Sequence, residues 1–284
     1  MVKELFSPDA LTGKHILITG GGTGLGRSMA LRCAKLGAKV TICGRRPEPL
    51  METVADIQAL GANANGISCN IREAESVAEM VASAESQLGP VNGLVNNAAG
   101  NFLAPTHEIS PNAFDSVVKT NLYGAFFITQ ALAKKWIERN QSASVVSITT
   151  SYAQTGSAFV IPSAVSKAGI EAMTKSLAVE WGVYNIRLNA IQPGPFPTEG
   201  AWKRLVPNEQ VAEQMRSRVA LGRFGEHDEL TALVVFLLSD ASSYMTGTVL
   251  TLDGGEVLNA GGQFNELTRL PRPFLLEMLK SMRG

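Results

Sequence analysis

Residues 15–26 read HILITGGGTGLG, and this stretch decides the fold. An apolar, β-rich run ends at Thr19, a glycine-rich turn follows, and an amphipathic helical pattern occupies residues 27–36. The amides of such a turn lie at a helix N-terminus, which suits a phosphate group, and glycines let that group come close. An ordinary glycine-rich turn is the alternative, but the strand and the helix on its two sides favour phosphate binding.

The same alternation of apolar strand patterns and helical patterns continues along the chain. Further strands are predicted at residues 38–43, 65–70, 92–98, 144–149, 186–191 and 248–253. Further helices are predicted at residues 54–60, 77–88, 122–139, 166–181 and 230–238. Near-continuous Val, Ile and Leu runs are typical of strands buried on both faces, so we predict an α/β fold, a doubly wound parallel sheet of the Rossmann type. No repeat or linker is visible, and we expect residues 1–284 to form a single domain.

Two segments depart from this rhythm. The first segment covers about residues 193 to 220 and directly follows a predicted strand. Its first part contains several prolines, Gly194 and Gly200. This is where a loop or short lid over a ligand would lie, because ligands of open α/β sheets bind outside the carboxyl ends of the strands. The tail after residue 255 is predicted to be irregular.

Composition excludes several classes of protein. Apolar residues make up 45% of the chain, and the formal net charge is zero with no long basic run, which argues against nucleic-acid binding. No apolar stretch approaches the roughly 20 residues that span a bilayer, so membrane insertion is not expected. The N-terminal residues are not signal-like, and Cys33, Cys43 and Cys69 suggest neither a disulfide framework nor zinc. We expect a cytoplasmic protein, with a processed mitochondrial matrix protein as the alternative.

The histidines give no indication of a metal site. His15, His107 and His227 are scattered and lack the spacing of metal ligands. We therefore predict no metal and expect all three side chains at the surface.

The end of the second strand predicts the choice of cofactor. Arg45 and Arg46 stand where an NAD site usually places a carboxylate for the ribose hydroxyls. Guanidinium groups pair well with a 2′-phosphate, so we predict NADPH rather than NADH. The alternative is that both arginines only solvate a turn.

Several motifs in a fixed order resemble the short-chain dehydrogenase/reductase family, over nearly the whole chain. After the glycine-rich turn they are Asn96–Gly100 (NNAAG), Asn121, a Ser-x-x-x-Lys ending at Lys167, Pro193-Gly194, and Asp253-Gly254-Gly255. One position departs from the family pattern, because Ser163 stands four residues before Lys167 where the family usually has its catalytic tyrosine. A serine hydroxyl is a much poorer proton donor than a phenol near a cation, so ordinary ketone or alcohol chemistry is not expected.

A tyrosine does occur upstream, at Tyr152. The set Asn101, Tyr152, Ser163 and Lys167 is similar to that of the 2,4-dienoyl-CoA reductase branch, most closely its mitochondrial type. The segments NNAAGNF, SPNAF, SITTSYAQTGSAFVIPSA, QPGPFPTEGA and GGQFNEL also resemble that branch.

This resemblance implies a mechanism. Hydride would pass from NADPH to the far end of a conjugated diene, while Tyr152 and Asn101 hydrogen-bond the thioester oxygen of the dienolate. Lys167 would bind the nicotinamide ribose and orient Tyr152, and Ser163 would complete the network. A reductase of 2-enoyl thioesters on CoA or acyl carrier protein is the enzymatic alternative. A nucleotide-binding regulator without activity is the alternative from another class.

The resemblance also implies binding residues. For the cofactor they are Gly20, Gly22, Thr23, Gly24, Leu25, Gly26, Arg45, Arg46, Asn70, Asn97, Lys167, Pro193, Gly194 and Phe196. Asn70 would lie beside the adenine, where the branch often has Asp. For an acyl-CoA substrate they are Arg72, Phe102, Ser110 and Arg204, with Trp202 and Phe264 as candidates for the acyl channel. The family also implies a homotetramer assembled through helices such as the one at residues 166–181.

Overall fold

Seven strands form the centre of the computed structural model, which describes residues 5–200, 206 and 208–282. Their bounds are β1 His15–Thr19, β2 Lys39–Gly44, β3 Ala64–Ser68, β4 Gly93–Asn96, β5 Ala143–Ile148, β6 Ile186–Pro193 and β7 Val249–Leu252. They pair in the order β3-β2-β1-β4-β5-β6-β7, and every pairing is parallel. The predicted doubly wound parallel sheet is confirmed.

Helices cover both faces of this sheet. Their bounds are α1 Gly24–Lys35, α2 Pro47–Ala59, α3 Ala74–Leu88, α4 Pro111–Val118, α5 Gly124–Glu138, α6 Tyr152–Thr155, α7 Ile161–Trp181, α8 Glu209–Arg218, α9 His227–Leu238, α10 Glu256–Gly261 and α11 Arg272–Ser281. Residues of α1, α2 and α9 pack into one buried apolar cluster, and residues of α3, α5 and α7 pack into a second. The two clusters are the two cores of a doubly wound fold.

Strand burial differs between the centre and the edges of the sheet. Every residue of β1, β4 and β5 is buried, as the apolar runs predict. The expectation of full burial is wrong for β3 and β7, which contain half-buried and exposed residues. These two strands lie at the edges of the sheet, where each has a neighbour on one side only.

The segments predicted to be irregular contain helices. The loop at residues 193–220 includes α8, whose N-cap Asn208 accepts a hydrogen bond from the amide of Val211 at 2.9 Å. The tail after residue 255 is not irregular, because it contains α10, a 3₁₀ turn at Asn265–Arg269 and α11. These helices have 6 to 10 residues and one buried residue each at most, so the apolar run that marks a core helix is missing from their sequences.

The parallel arrangement brings the carboxyl ends of all seven strands to one edge of the sheet. The predicted site residues follow Thr19, Gly44, Asn96, Ile148 and Pro193, which lie at the ends of five of these strands. In the described residues, no helix is long and apolar enough to cross a membrane.

Candidate active site

A cluster of three polar side chains lies beyond the carboxyl ends of β4 and β5. The Asn101 Nδ2 donates to the Tyr152 Oη at 3.3 Å, and that oxygen lies 3.0 Å from the Ser163 Oγ. Tyr152 is the first residue of the short helix α6, and Ser163 is buried in the first turn of α7. The structure thus brings together three residues that are widely spaced in the sequence.

Lys167 lies one helical turn beyond Ser163 on the buried face of α7. Its side chain is buried, and its Nζ donates to the Ile148 carbonyl oxygen at 2.6 Å. Burial disfavours the charged amine and lowers the pKa of Lys167 to about 8. A lysine carries three donors, and one of them is used here, so further donors are available to a ligand.

Asn121 supports the loop that carries Asn101. It is buried in a π-helical turn at Lys119–Tyr123, and such turns are frequent at functional sites. Its Oδ1 accepts from the Gly100 amide at 2.7 Å, and its Nδ2 donates to the Gly100 carbonyl at 3.0 Å. The sequence motif includes Asn121, but its role of fixing residue 100 becomes visible only in the structure.

Glu171 is a buried residue of this site that the sequence analysis did not identify. Its carboxylate lies on the same buried face of α7 and is 5% exposed. One oxygen accepts from the Gln192 Nε2 at 2.7 Å, and the other from the Gln154 Nε2 at 3.4 Å. Gln154 belongs to the helix of Tyr152 and Gln192 to the end of β6, so Glu171 ties both segments to α7.

The glycine-rich turn is fixed by polar contacts from β4. A side chain at Gly26 would collide with the Gly20 carbonyl oxygen, so this position must be glycine. The Asn97 Nδ2 donates to the Thr19 carbonyl at 2.8 Å, and the Thr19 Oγ1 accepts from the Asn97 amide at 2.9 Å. Asn97 therefore shapes the turn, and its amide group is already engaged with the protein.

The backbone amides at the start of α1 are suited to bind an anion. Its N-cap Thr23 makes no side-chain hydrogen bond to the helix, and the first turn contains no acidic residue. Unsatisfied amides at a helix N-terminus carry a partial positive charge. Gly22, Thr23, Gly24 and Leu25, all predicted to contact the cofactor, lie at this end of the helix.

The residues predicted around the adenine half lie at the ends of β2 and β3. Arg45 and Arg46 are exposed and follow β2. The Asn70 Oδ1 accepts from the Arg72 amide at 3.4 Å, and its Nδ2 donates to Glu73.

The residues predicted around the nicotinamide half lie at the end of β6. Gly194 follows this strand, and its amide donates to the Leu252 carbonyl at 3.0 Å. Pro193 and Phe196 lie on either side of it in the sequence.

Three of the residues predicted to bind a thioester form hydrogen bonds with the protein around α4 and Asn101. The Arg72 Nε donates to the Thr120 Oγ1 at 2.7 Å and its Nη2 to the Ser116 Oγ at 3.1 Å, so this guanidinium holds the end of α4. Ser110 caps α4 by accepting from the Ala113 amide at 3.2 Å. Phe102 adjoins Asn101, whose Oδ1 accepts from its amide at 2.9 Å.

Three further residues were predicted for the acyl-CoA site, and only one of them is described. Arg204 and Trp202 lie outside the described residues. Phe264 is 71% exposed in the C-terminal segment.

An open groove of about 500 Å³ lies between the loop at 106–111 and the start of α7. Its apolar lining includes Ile109, Pro111, Phe114 and Ile161. Ile161 begins the helix that carries Ser163 and Lys167, so the groove adjoins the elements of the polar cluster.

The expectation that all three histidines lie at the surface is wrong for two of them. His107 is exposed, but His15 is 2% exposed because it lies in β1, an interior strand of the sheet. His227 is half-buried at the start of α9. Within residues 5–200, 206 and 208–282, no group of three or more His, Cys, Asp or Glu side chains could hold a metal ion.

The arrangement has the parts of a reductase site. A hydroxyl and an amide donor meet at one point, where they can stabilise a developing oxyanion. A buried amine and an uncapped helix N-terminus lie on the side where a dinucleotide binds in this fold.

Comparison with known proteins agrees with this class. Residues 20–256 match the family model described as "Enoyl-(Acyl carrier protein) reductase". The chain belongs to the short-chain dehydrogenase/reductase family, and it has the oxidoreductase fold of that family.

Individual relatives define the branch. The chain is 44% identical to the Caenorhabditis elegans protein "Probable 2,4-dienoyl-CoA reductase 3 [(3E)-enoyl-CoA-producing]", over 87% of this chain and 81% of the relative. It is 39% identical to the Bacillus subtilis "Probable 2,4-dienoyl-CoA reductase [(2E)-enoyl-CoA-producing]", over 87% of this chain and 97% of the relative. The predicted resemblance to the 2,4-dienoyl-CoA reductase branch is confirmed by these sequence identities.

The fold is shared with dehydrogenases that act on other substrates. The structure of a gluconate 5-dehydrogenase from Burkholderia cenocepacia in complex with NADP and tartrate superimposes with a TM-score of 0.83. It is 29% identical in sequence, and the match covers 88% of this chain and 98% of that structure. A nicotinamide cofactor is thus common to the fold, whereas the substrate follows from the site.

Proposed function

We propose that the protein is an NADPH-dependent 2,4-dienoyl-CoA reductase that forms 3-enoyl-CoA in the β-oxidation of unsaturated fatty acids. The observation that carries this proposal is the convergence of Asn101 and Ser163 on the Tyr152 hydroxyl, at 3.3 and 3.0 Å. Ser163 occupies the usual tyrosine position of the family, so the phenol approaches from α6 instead. A serine hydroxyl at the usual tyrosine position is a poor proton donor, whereas the Tyr152 hydroxyl and the Asn101 amide form a donor pair that can stabilise a dienolate oxygen.

The residues fit NADPH. The uncapped N-terminus of α1 would receive the pyrophosphate, and the exposed Arg45 and Arg46 would pair with the 2′-phosphate. The buried amine of Lys167 would donate to the ribose hydroxyls of the nicotinamide half. When bound, the dihydronicotinamide supplies the hydride.

The oxyanion donors do the electrostatic part of the reaction. Tyr152 would donate its O–H to the thioester oxygen while its own oxygen accepts from Asn101 and Ser163. The second N–H of the Asn101 amide would donate to the same thioester oxygen. Negative charge would develop on that oxygen only during reduction at C5, so the bonds from Tyr152 and Asn101 would strengthen in the transition state and lower the barrier. A proton from solvent water added at C2 would then complete the 3-enoyl product.

The substrate is proposed to be a CoA thioester. Arg72, Phe102, Ser110 and Arg204 would contact it, and the groove beside Ile109 and Phe114 would accommodate apolar parts of the acyl-pantetheine chain. Arg72 already uses two of its five N–H donors on Ser116 and Thr120, so a contact with CoA would draw on the remaining three. Asn70 would accept from the adenine amino group through its Oδ1.

Reduction of a 2-enoyl thioester is the second candidate. The family model that matches the chain carries the description of an enoyl reductase, and this is the observation in its favour. It would need the same oxyanion donors, but hydride delivery at C3.

The assembly and compartment are part of the proposal. Val165 and Val179 on α7 are 45% and 83% exposed, and Phe126 on α5 is 39% exposed. Apolar side chains exposed along two adjacent helices favour a homotetramer formed through them. Three buried free cysteines fit a reducing compartment, either the cytoplasm or the mitochondrial matrix after processing.

The test is a comparison of two thioesters of the same medium chain length. The purified protein is incubated with NADPH and either a 2,4-dienoyl-CoA or a 2-enoyl-CoA, and the products are identified by NMR and mass spectrometry. We expect turnover of the dienoyl thioester to a 3-enoyl product. Turnover of the 2-enoyl thioester alone would establish the second candidate, and saturable NADPH binding without turnover of either would establish a regulator.

A further inference from the structure

The loop that follows β6 has few donors of its own. Residues 193–197 read PGPFP, and a proline has no backbone N–H. Carbonyl groups of this loop therefore need donors from elsewhere in the protein. The Pro195 carbonyl accepts from the Gly225 amide at 3.1 Å.

The Pro197 carbonyl finds its donor in a side chain. The His227 Nε2 lies 2.8 Å from that oxygen. Because a carbonyl oxygen can only accept, the Nε2 carries the hydrogen. His227 is the first residue of α9, whose capping box between Glu226 and Glu229 fixes the start of the helix.

The second ring nitrogen contacts a different element. The His227 Nδ1 lies 2.7 Å from the Ser28 Oγ in α1. In the neutral imidazole this nitrogen accepts from the Ser28 hydroxyl. One ring therefore joins the start of α9, the loop after β6 and the helix that begins at the glycine-rich turn.

The loop and α1 also touch directly. A Cβ placed on Gly24 would lie 3.4 Å from the Thr198 Cγ2, so residue 198 packs on the first residue of α1. His227 contacts the carbonyl of the preceding residue, Pro197. The two elements that it connects are the ones proposed to hold the pyrophosphate and the nicotinamide half of the cofactor.

We propose that His227 is a positioning residue, which holds loop 193–198 against α1 and thereby sets how tightly the dinucleotide is retained. The inference rests on the cofactor part of the proposed function and is independent of the acyl substrate. Loss of the imidazole removes the donor to Pro197 and the nearer acceptor of the Ser28 hydroxyl, whose other acceptor is the Gly24 carbonyl at 3.3 Å within α1. The loop must then be ordered when the cofactor binds.

The test measures cofactor binding in the absence of any thioester. NADPH affinity and dissociation rate are followed by stopped-flow fluorescence for the wild-type protein, His227→Ala, His227→Gln and Ser28→Ala. The loss of two hydrogen bonds predicts for His227→Ala a dissociation constant raised roughly tenfold or more, through faster dissociation. Unfolding temperatures are recorded for all variants.

His227→Gln is the matched conservative variant. Its amide nitrogen and oxygen can reach Pro197 and Ser28 in the places of the two ring nitrogens, so its affinity should return to within about twofold of the wild type. Ser28→Ala should weaken binding less than His227→Ala, and should add nothing in the His227→Ala background. Turnover at saturating NADPH should change little in every variant.

Clear results would overturn the inference. Unchanged NADPH affinity in His227→Ala, with or without a lower unfolding temperature, would give His227 a structural role only. Failure of His227→Gln to restore affinity would exclude the two hydrogen bonds as the cause. A wild-type protein that binds neither NADPH nor NADH would instead overturn the cofactor assignment itself, whereas missing dienoyl reduction with normal binding would affect only the substrate assignment.

Discussion

Two buried basic side chains lie at opposite ends of the parallel strands, which we call the amino edge and the carboxyl edge of the sheet. They differ in how many of their hydrogen-bonding groups have a partner in the protein. At the amino edge, the His15 Nδ1 lies 2.7 Å from the Gly89 carbonyl and its Nε2 lies 2.8 Å from the Thr41 Oγ1. At the carboxyl edge, Lys167 is buried to a similar degree but bonds the Ile148 carbonyl alone among the described residues. Both nitrogens of the histidine are satisfied, whereas the lysine retains donors.

This difference distinguishes buried polar groups that stabilise the fold from those that are available for function. Burial lowers the pKa of both groups, so exposure alone does not distinguish them. Polar groups whose capacity is filled by the protein stabilise the fold, and groups with spare donors are available for chemistry. Substitutions at the carboxyl edge should therefore change activity, and those at the amino edge should change stability.

The largest effect is expected at Tyr152. Tyr152→Phe removes the hydroxyl that would donate to the thioester oxygen, and the loss of such a donor lowers kcat by roughly 10²-fold or more. The binding of NADPH should barely change, because the ring and the helix remain. Steady-state kinetics with a dienoyl-CoA and NADPH titrations measure both quantities. Near-normal turnover would transfer the donor role to Ser163.

A smaller effect is expected from the exposed arginines after β2. Replacing Arg45 and Arg46 together by serine should raise the KM for NADPH by roughly 10- to 50-fold, because two charge-assisted contacts to the 2′-phosphate are lost. The KM for NADH should stay within about twofold. Arg269→Ala, a surface arginine paired with Glu266 in the C-terminal segment, serves as the control. Equal losses for both cofactors would contradict the assignment of the 2′-phosphate.

The pKa of Lys167 predicts a change with pH. Burial lowers this pKa to about 8, so the amine is charged below that pH and loses its charge above it. The kcat/KM for NADPH should fall as pH rises through about 8, by up to tenfold per unit where the charged form is required. Lys167→Arg keeps its charge and should lack this alkaline limb. A limb that persists in Lys167→Arg would point to another group.

The smallest effect on activity is expected at His15. His15→Leu leaves the Gly89 carbonyl and the Thr41 hydroxyl without their partner, which lowers the free energy of unfolding by about 1–3 kcal/mol. Turnover of the folded protein should be unchanged. Urea unfolding and kinetics on the same preparation measure the two. A loss of turnover without a loss of stability would break the contrast between the edges.

His15 also predicts an acid dependence of stability. Burial lowers the pKa of His15 in the folded protein, while the unfolded chain binds a proton near its ordinary value of about 6.5. Stability contributed by the neutral ring is present above that pH and is lost as pH falls below it, down to the lowered folded value. The wild type should lose more stability than His15→Leu between pH 7.5 and 5.5, in urea titrations.

The sequence predicts most of the fold and the core of the site for identifiable reasons. The seven strands are apolar runs between turns, and their order along the chain dictates a parallel sheet. Helices beginning with proline start earlier than their apolar pattern suggests, as α2 does at Pro47, because proline fits the first turn. Tyr152, Asn101 and Ser163 were predictable as a set, and the structure places them in contact.

The remaining site residues depend on contacts between distant segments. His227 reaches Ser28 across 199 positions and Glu171 reaches Gln192 across 21, and no local pattern indicates either pairing. Asn97 and Ser110 show the reverse, since both were predicted as ligand contacts and both are engaged with the protein. Residue type and position predict where a side chain lies, but its partners decide what remains free to bind.

The most direct test of the account follows the hydride. NADPH carrying deuterium at the transferable C4 position is used to reduce a 2,4-dienoyl-CoA, and a parallel reaction with ordinary NADPH is run in D₂O. The account predicts cofactor deuterium at C5 and solvent deuterium at C2 of a 3-enoyl product, as expected for a dienolate held by Tyr152 and Asn101. Cofactor deuterium at C3, or solvent deuterium at C4 of a 2-enoyl product, would contradict it.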